Sequence, residues 1–114
     1  KAMTAKGYWI AHATVHDPEI YEKYRQANGP SLAAHGGKFL VRGGDQELVE
    51  GEWSPRTVVI EFPSYADALA CYKSEGYQSA KALRDPVSEA NIIIVEGTFG
   101  RFHLPCHCHA CWSL

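Results

Sequence analysis

The stretch from Gly36 to Ser64, GGKFLVRGGDQELVEGEWSPRTVVIEFPS, constrains the fold of this chain more than any other part of it. Lys38 to Arg42 alternates and stops at Gly43-Gly44, while Thr57 to Phe62 is almost unbroken apolar and stops at Pro63-Ser64. Each run carries its own stop signal. They read as two β-strands joined by a long connection and followed by a helix start. A strand that is apolar on both sides must be covered on both, so the rest of the chain has to supply the covering layers.

The preceding residues supply a strand and a helix. Tyr8 to Val15 sets Trp9, Ala11, Ala13 and Val15 on one face and Tyr8, Ile10, His12 and Thr14 on the other, the period of two that marks a strand. Asp17-Pro18-Glu19 then offers a cap, a first-turn proline and an acid at the positive end of a helix. Ile20, Tyr24 and Ala27 form its apolar stripe, with Tyr21 at the edge. Gly29-Pro30 predicts a kink or restart before Leu32, and His35-Gly36-Gly37 ends the helix.

Beyond the central stretch, Ser64 with Asp67 three residues on is a capping pattern, and Tyr65, Leu69 and Tyr72 follow at helical intervals. Gly76 is expected to interrupt this helix, and Tyr77 to Leu83 to form a second piece ending before Pro86. Asn91 to Gly97 is the last strand. The order strand, helix, strand, strand, helix, strand leaves a ferredoxin-like βαββαβ sandwich with a four-stranded antiparallel sheet as the economical α+β solution. Two helices cover one face of such a sheet. Val58-Val59-Ile60 and Ile92-Ile93-Ile94-Val95 are apolar on both faces, so a two-fold partner packed sheet on sheet is expected, with loops or the tail as the other cover.

Composition bounds function by exclusion. The 114 residues, 46% hydrophobic and 21% charged, suit one domain with a sizeable core. A formal charge of −2 with 11 scattered Lys and Arg argues against a nucleic-acid groove or a polybasic membrane patch. No apolar run approaches the roughly 20 residues of a membrane span, and the four cysteines lack the spacing of a disulfide framework, so a cytoplasmic setting is expected. There is no phosphate loop, dinucleotide fingerprint or nucleophile elbow, and no cofactor is expected.

GYWIAH, GGKFLVRGG and EGEWSPRTVVIEFPSYADALACYKSEGYQSAKALR occur in this order and together resemble a bacterial family catalogued as domain of unknown function 1330. The resemblance runs from Gly7 to Gly97. It implies a dimeric α+β barrel, a superfamily whose wider members include cofactor-independent monooxygenases, isomerases, haem-degrading enzymes and ligand-sensing modules. The domain is therefore set at 7–97. Residues 98–114 read as an appended Cys/His-rich tail, non-native or disordered.

Several side chains are candidates for chemistry. In the expected topology strands one and two run the same way, which brings His12 to Thr14 and Arg42 to one edge of the sheet near the first helix. An arginine and a helix start favour a carboxylate or enolate, and a histidine beside them could move a proton. The alternatives are an interface ion pair for Arg42 and a core histidine for His12. Glu61 lies in an apolar run at the opposite edge with Tyr8 and His35, where it serves either as a buried base or as the partner of Lys38. Tyr24, Trp53 and Tyr72 are candidate walls of a ligand pocket or plain core aromatics.

His103, Cys106, His107, Cys108, His109 and Cys111 put six donors in nine residues, but without the second distant pair that closes an ordinary zinc site, and no metal site is assigned. Three functions stay open: a cofactor-independent enzyme, monooxygenase- or isomerase-like, on a small carbonyl or aromatic metabolite; a non-catalytic small-ligand binding dimer; and metal binding through the tail.

Overall fold

The structure is a computed structural model that describes residues 4–99. The strands are β1 (Gly7–Val15), β2 (Lys38–Arg42), β3 (Arg56–Phe62) and β4 (Ser88–Glu96), and the helices are α1 (Pro18–Ala27), α2 (Gly29–Ala34), α3 (Tyr65–Lys73) and α4 (Glu75–Arg84), with a short 3₁₀ turn at Asp85–Val87. The sheet is antiparallel throughout in the order β2-β3-β1-β4, the ferredoxin-like arrangement expected from the element order. The Cys/His-rich tail and its metal-ligand candidates from His103 to Cys111 lie outside the described residues.

The helix caps are the ones the local sequence dictates. Asp17 Oδ1 accepts from the backbone N–H groups of Glu19 and Ile20, at 3.1 and 3.2 Å. Ser64 Oγ accepts from the Asp67 N–H at 3.0 Å and donates to the Asp67 carboxylate at 2.9 Å. The helical break before Leu32 falls at Asn28, and Pro30 sits in the first turn of α2, where its missing N–H costs nothing.

Three expectations are corrected. The break in the second helical layer comes at Ser74 rather than Gly76, because the Ser74 hydroxyl donates to the Cys71 carbonyl and accepts from the Tyr77 N–H, ending α3 and capping α4 together. The buried stripe of α1 is Tyr21, Tyr24 and Asn28, while Ile20 stands on the solvent side; aromatic bulk is drawn to the sheet. In α3 the fully buried positions are Ala68 and Cys71, with Leu69 and Tyr72 half-buried, because small side chains let the helix approach β1 closely.

The core is aromatic. Trp9 packs on Phe62 at 5.2 Å, on Tyr77 at 4.8 Å and on Tyr72 at 5.9 Å, and its indole N–H donates to the Ala68 carbonyl at 2.9 Å. Burial pushes the Cys71 thiol up to about 11, so it acts here as a small apolar side chain. The helices cover one face of the sheet. On the other face Val41, Ile93 and Val95 stay exposed, Ile93 to 58%.

Gly7 is a close-approach glycine with no local sequence signal: a Cβ there would lie 2.5 Å from the Ser64 carbonyl oxygen and 2.6 Å from the Tyr65 Cα. Gly7→Ala is therefore expected to lower stability by about 2 kcal/mol or more, against about 1 kcal/mol for loss of the cap in Ser64→Ala. Urea denaturation of both variants checks this ordering; equal losses would mean that the β1–α3 approach relaxes freely.

Candidate functional site

Pleating sends Trp9, Ala11 and Ala13 of β1 toward the helices, and the register sets Val58 and Ile60 of β3 and Ala90 and Ile92 of β4 beside them. Between Trp9 and the end of the strand the floor is made of small residues, Ala11, Ala13 and Ala90. Under α1 these leave a space that larger side chains would fill. The result is a partly open cavity between sheet and helices.

The roof is Tyr21, Tyr24, Arg25 and Asn28 of α1, with Arg84 from the end of α4; Phe39, Arg42 and Arg56 close one side. Among the described residues, four arginines and no aspartate or glutamate line this cavity. Arg84 is almost fully buried, with its guanidinium 5.4 Å from the Tyr24 ring centre. The Arg56 guanidinium lies 5.8 Å from the Tyr21 ring, and that of Arg42 lies 4.1 Å over Phe39. Gly43, at φ +74°, is where a Cβ would collide with the Arg56 guanidinium, so glycine there serves both the turn and the seating of Arg56. Glu22 engages Arg25 at 2.8 Å and Asp85 contacts Arg84 at 3.4 Å, whereas Arg42 and Arg56 form no ion pair with a described residue.

Behind the wall, Arg84 donates to the Tyr77 hydroxyl at 3.4 Å, and the Tyr77 and Tyr24 hydroxyls share a hydrogen bond of 2.8 Å. Burial raises the Tyr77 phenol far above its ordinary range, with Tyr24 adding to the effect. The group is neutral and remains a proton donor.

Of the residues picked out by sequence, Tyr24 and Arg42 meet at this cavity. His12 borders the floor between Ala11 and Ala13, but its ring is turned to the open face, stacked on Trp53 at 4.0 Å, with Nδ1 2.9 Å from the Ser54 hydroxyl. The Ser54 backbone N–H also donates to Nδ1, so in the neutral ring the proton is on Nε2. His12 and Arg42 both border this cavity but from different faces of the sheet, because a register shift between Phe39 and Val41 carries Arg42 to the helix side. Trp53 does not line this cavity; it is half exposed and its indole N–H donates to Thr57 Oγ1 at 2.8 Å. Tyr72 packs on Trp9 and Tyr77 away from the cavity.

Glu61 accepts from the Tyr8 hydroxyl at 3.0 Å and pairs with Lys38 at 3.8 Å, which is the salt-bridge alternative, on the open face. His35 Nδ1 is 2.8 Å from the Ser31 carbonyl and belongs to the end of α2. Arg25, Arg56, Arg84 and Asn28 escaped the sequence reading. Arg84 and Asn28 carry the signal of a polar residue on the inward stripe of a helix, which was available; Arg25 and Arg56 carry none.

Among the described residues no group of three or more His, Cys, Asp or Glu could hold a metal, and no helix is long and apolar enough to cross a membrane.

Tyr21 and Tyr77 both have raised phenol pKa values, chiefly from burial. The unfolded chain releases these protons near 10.0 and the folded chain only above that. Their contribution is thus complete below pH 10.0 and is lost as pH rises through the native values. Tyr77→Phe is expected to cost about 1–2 kcal/mol at neutral pH through the lost hydrogen bonds, and to flatten the alkaline fall in stability. Denaturant midpoints measured across pH 10.0 check both signs.

The same sheet and helix arrangement occurs in solved proteins of low sequence identity. A protein of unknown function from Rhodopseudomonas palustris superposes with a TM-score of 0.66 at 17% identity, over 82% of this chain and 83% of its own. SnoaB, a cofactor-independent oxygenase from Streptomyces nogalater, gives 0.55 at 13% identity, over 81% and 92%. A dimeric ferredoxin-like protein of unknown function from Thermobifida fusca gives 0.52 at 16% identity, over 84% and 94%. At such identities the likeness establishes the fold and leaves the chemistry to the site. No curated protein matches the sequence. The family model described as Domain of unknown function (DUF1330) matches residues 6–98, and the chain belongs to that family.

Proposed function

We propose that this protein is a homodimer whose sheet–helix cavity binds a small aromatic or carbonyl metabolite. The observation that carries the reading is the cavity itself, floored by alanines, walled by Trp9, Tyr21, Tyr24 and Phe39, and edged by arginines. The dimer reading rests on the uncovered face of the sheet, where Val41, Ile93 and Val95 lie exposed, and on the dimeric form of one protein of the same fold. The cysteine spacing favours a reducing, cytoplasmic setting.

A second reading is catalytic: cofactor-independent oxygenation of a substrate held as its enolate or phenolate. The fold shared with a cofactor-independent oxygenase favours it, as do guanidinium groups that would stabilise developing negative charge. In that reading Arg42 and Tyr24 touch the substrate. His12 and Glu61 would act only from the interface side.

Ala11→Leu separates a ligand cavity from a packing gap. It is expected to leave the unliganded fold within about 1 kcal/mol, since the space is already there, and to abolish thermal stabilisation by small phenols, aromatic aldehydes and aromatic acids. Retained stabilisation in Ala11→Leu would move the binding site elsewhere. Light scattering should return the dimer mass, and Ile93→Lys the monomer mass; a wild-type monomer removes the dimer reading. Protein-dependent oxygen uptake with phenols in chelator-treated buffer tests the oxygenase reading.

A further inference from the structure

The polar atoms of the cavity wall specify more than its shape. Four buried side-chain atoms have no hydrogen-bond partner among the described residues: Nε of Arg25, Nε of Arg56, Nε of Arg84 and Oδ1 of Asn28. All four belong to residues that line the cavity. Buried polar groups are almost always paired, and leaving one unmet is costly, more so when it is charged. Four in residues around one cavity mark a surface that no described residue completes. Arg84 and Asn28 are 5% and 6% exposed, so bulk solvent does not meet their needs.

Chemistry narrows the partner. Three of the four orphaned atoms are guanidinium donors, and among the described residues Arg42 and Arg56 form no ion pair, so the wall favours an anion. The planar fork of arginine matches a carboxylate edge on. The Tyr24–Tyr77–Arg84 chain adds hydroxyls beside the wall: Arg84 donates to Tyr77, and Tyr77 and Tyr24 share a hydrogen bond in which either can donate. The fourth orphan, Asn28 Oδ1, is an acceptor and calls for an O–H on the same ligand. The floor of Ala11, Ile60 and Ile92 under aromatic walls asks for a flat apolar body.

We propose that the ligand of this cavity is a small aromatic hydroxycarboxylate, its carboxylate held by Arg84 and Arg56 and its hydroxyl donating to Asn28. This rests on the cavity reading above and deepens it. Arg84 and Asn28 select, and Arg42 at the mouth draws the anion in.

Calorimetric titration of the full chain with salicylate, meta- and para-hydroxybenzoate, benzoate, salicylamide, acetate and inorganic phosphate tests it. At least one hydroxybenzoate is expected to bind about tenfold or more tighter than salicylamide, acetate or phosphate, and several-fold tighter than benzoate. Arg56→Gln, at a half-buried position, should weaken all aromatic acids about tenfold without changing salicylamide binding; Arg84→Lys should do the same if it folds. Asn28→Ala should erase the advantage of hydroxybenzoate over benzoate and leave benzoate binding as it was.

Equal binding of acids and amides overturns the anion assignment while the cavity reading stands. Phosphate or acetate binding as tightly as the aromatic acids reduces the wall to a generic cationic patch and overturns the proposal. Equal binding of benzoate and every hydroxybenzoate removes the hydroxyl and Asn28 from it. No binding by any aromatic probe, with Ala11→Leu matching wild type in every assay, sinks the cavity reading as well.

Discussion

The pleat of β1 divides this molecule into its two halves. One row of side chains, Trp9, Ala11 and Ala13, belongs to the helices; the other, Tyr8, Ile10, His12 and Thr14, belongs to the open face. A slip of one residue would exchange the rows, putting the Trp9 indole in solvent and His12 in the core. Trp9 prevents this. Its contacts with Phe62, Tyr72 and Tyr77 and its hydrogen bond to the Ala68 carbonyl bind the strand to both pieces of the second helical layer.

From that division the cavity follows. At one end the inner row is filled by an indole; at the other it shrinks to alanines, and α1 bridges the difference with long side chains that reach over the gap instead of into it. Tyr21 and Tyr24 present rings to the space, while Arg84 and Asn28 are buried against it. A core with four orphaned polar atoms is poor packing if folding were its only purpose, since apolar side chains of similar volume would be at least as stable. Native structures concentrate such departures where another molecule completes the site.

The long connection between β2 and β3 serves the other half. Its end folds back on the open face, where Trp53 stacks on His12 and hydrogen-bonds Thr57, and Gln46 holds the Ser54 carbonyl at 3.0 Å. This covers the His12 end of the face. Ile93 and Val95, on the edge strand, stay bare. The polar group of Tyr8, Glu61 and Lys38 marks the far end of the same surface.

Local chemistry wrote much of this into the sequence. Period-two alternation, Asp17 and Ser64 as caps, Pro30 in a helix start and the glycine pairs as stops determine the elements, their order and thereby the ferredoxin-like sheet. The apolar runs on β3 and β4 likewise announce that the sheet needs two covers. The site was less legible. On unbroken alternation Arg42 would share a face with Leu40 and Lys38, on the His12 side of the sheet; the irregularity between Phe39 and Val41 turns it over to the helices. Such a bulge depends on how two strands distant in sequence settle against each other, and no residue near Leu40 signals it. The gathering of Arg25, Arg42, Arg56 and Arg84 from four elements is of the same kind. Arg25, Arg42 and Arg56 are ordinary surface residues in their own segments, Arg84 alone stands on an inward helical stripe, and only the packing of α1 and the end of α4 over an alanine floor makes the four one wall.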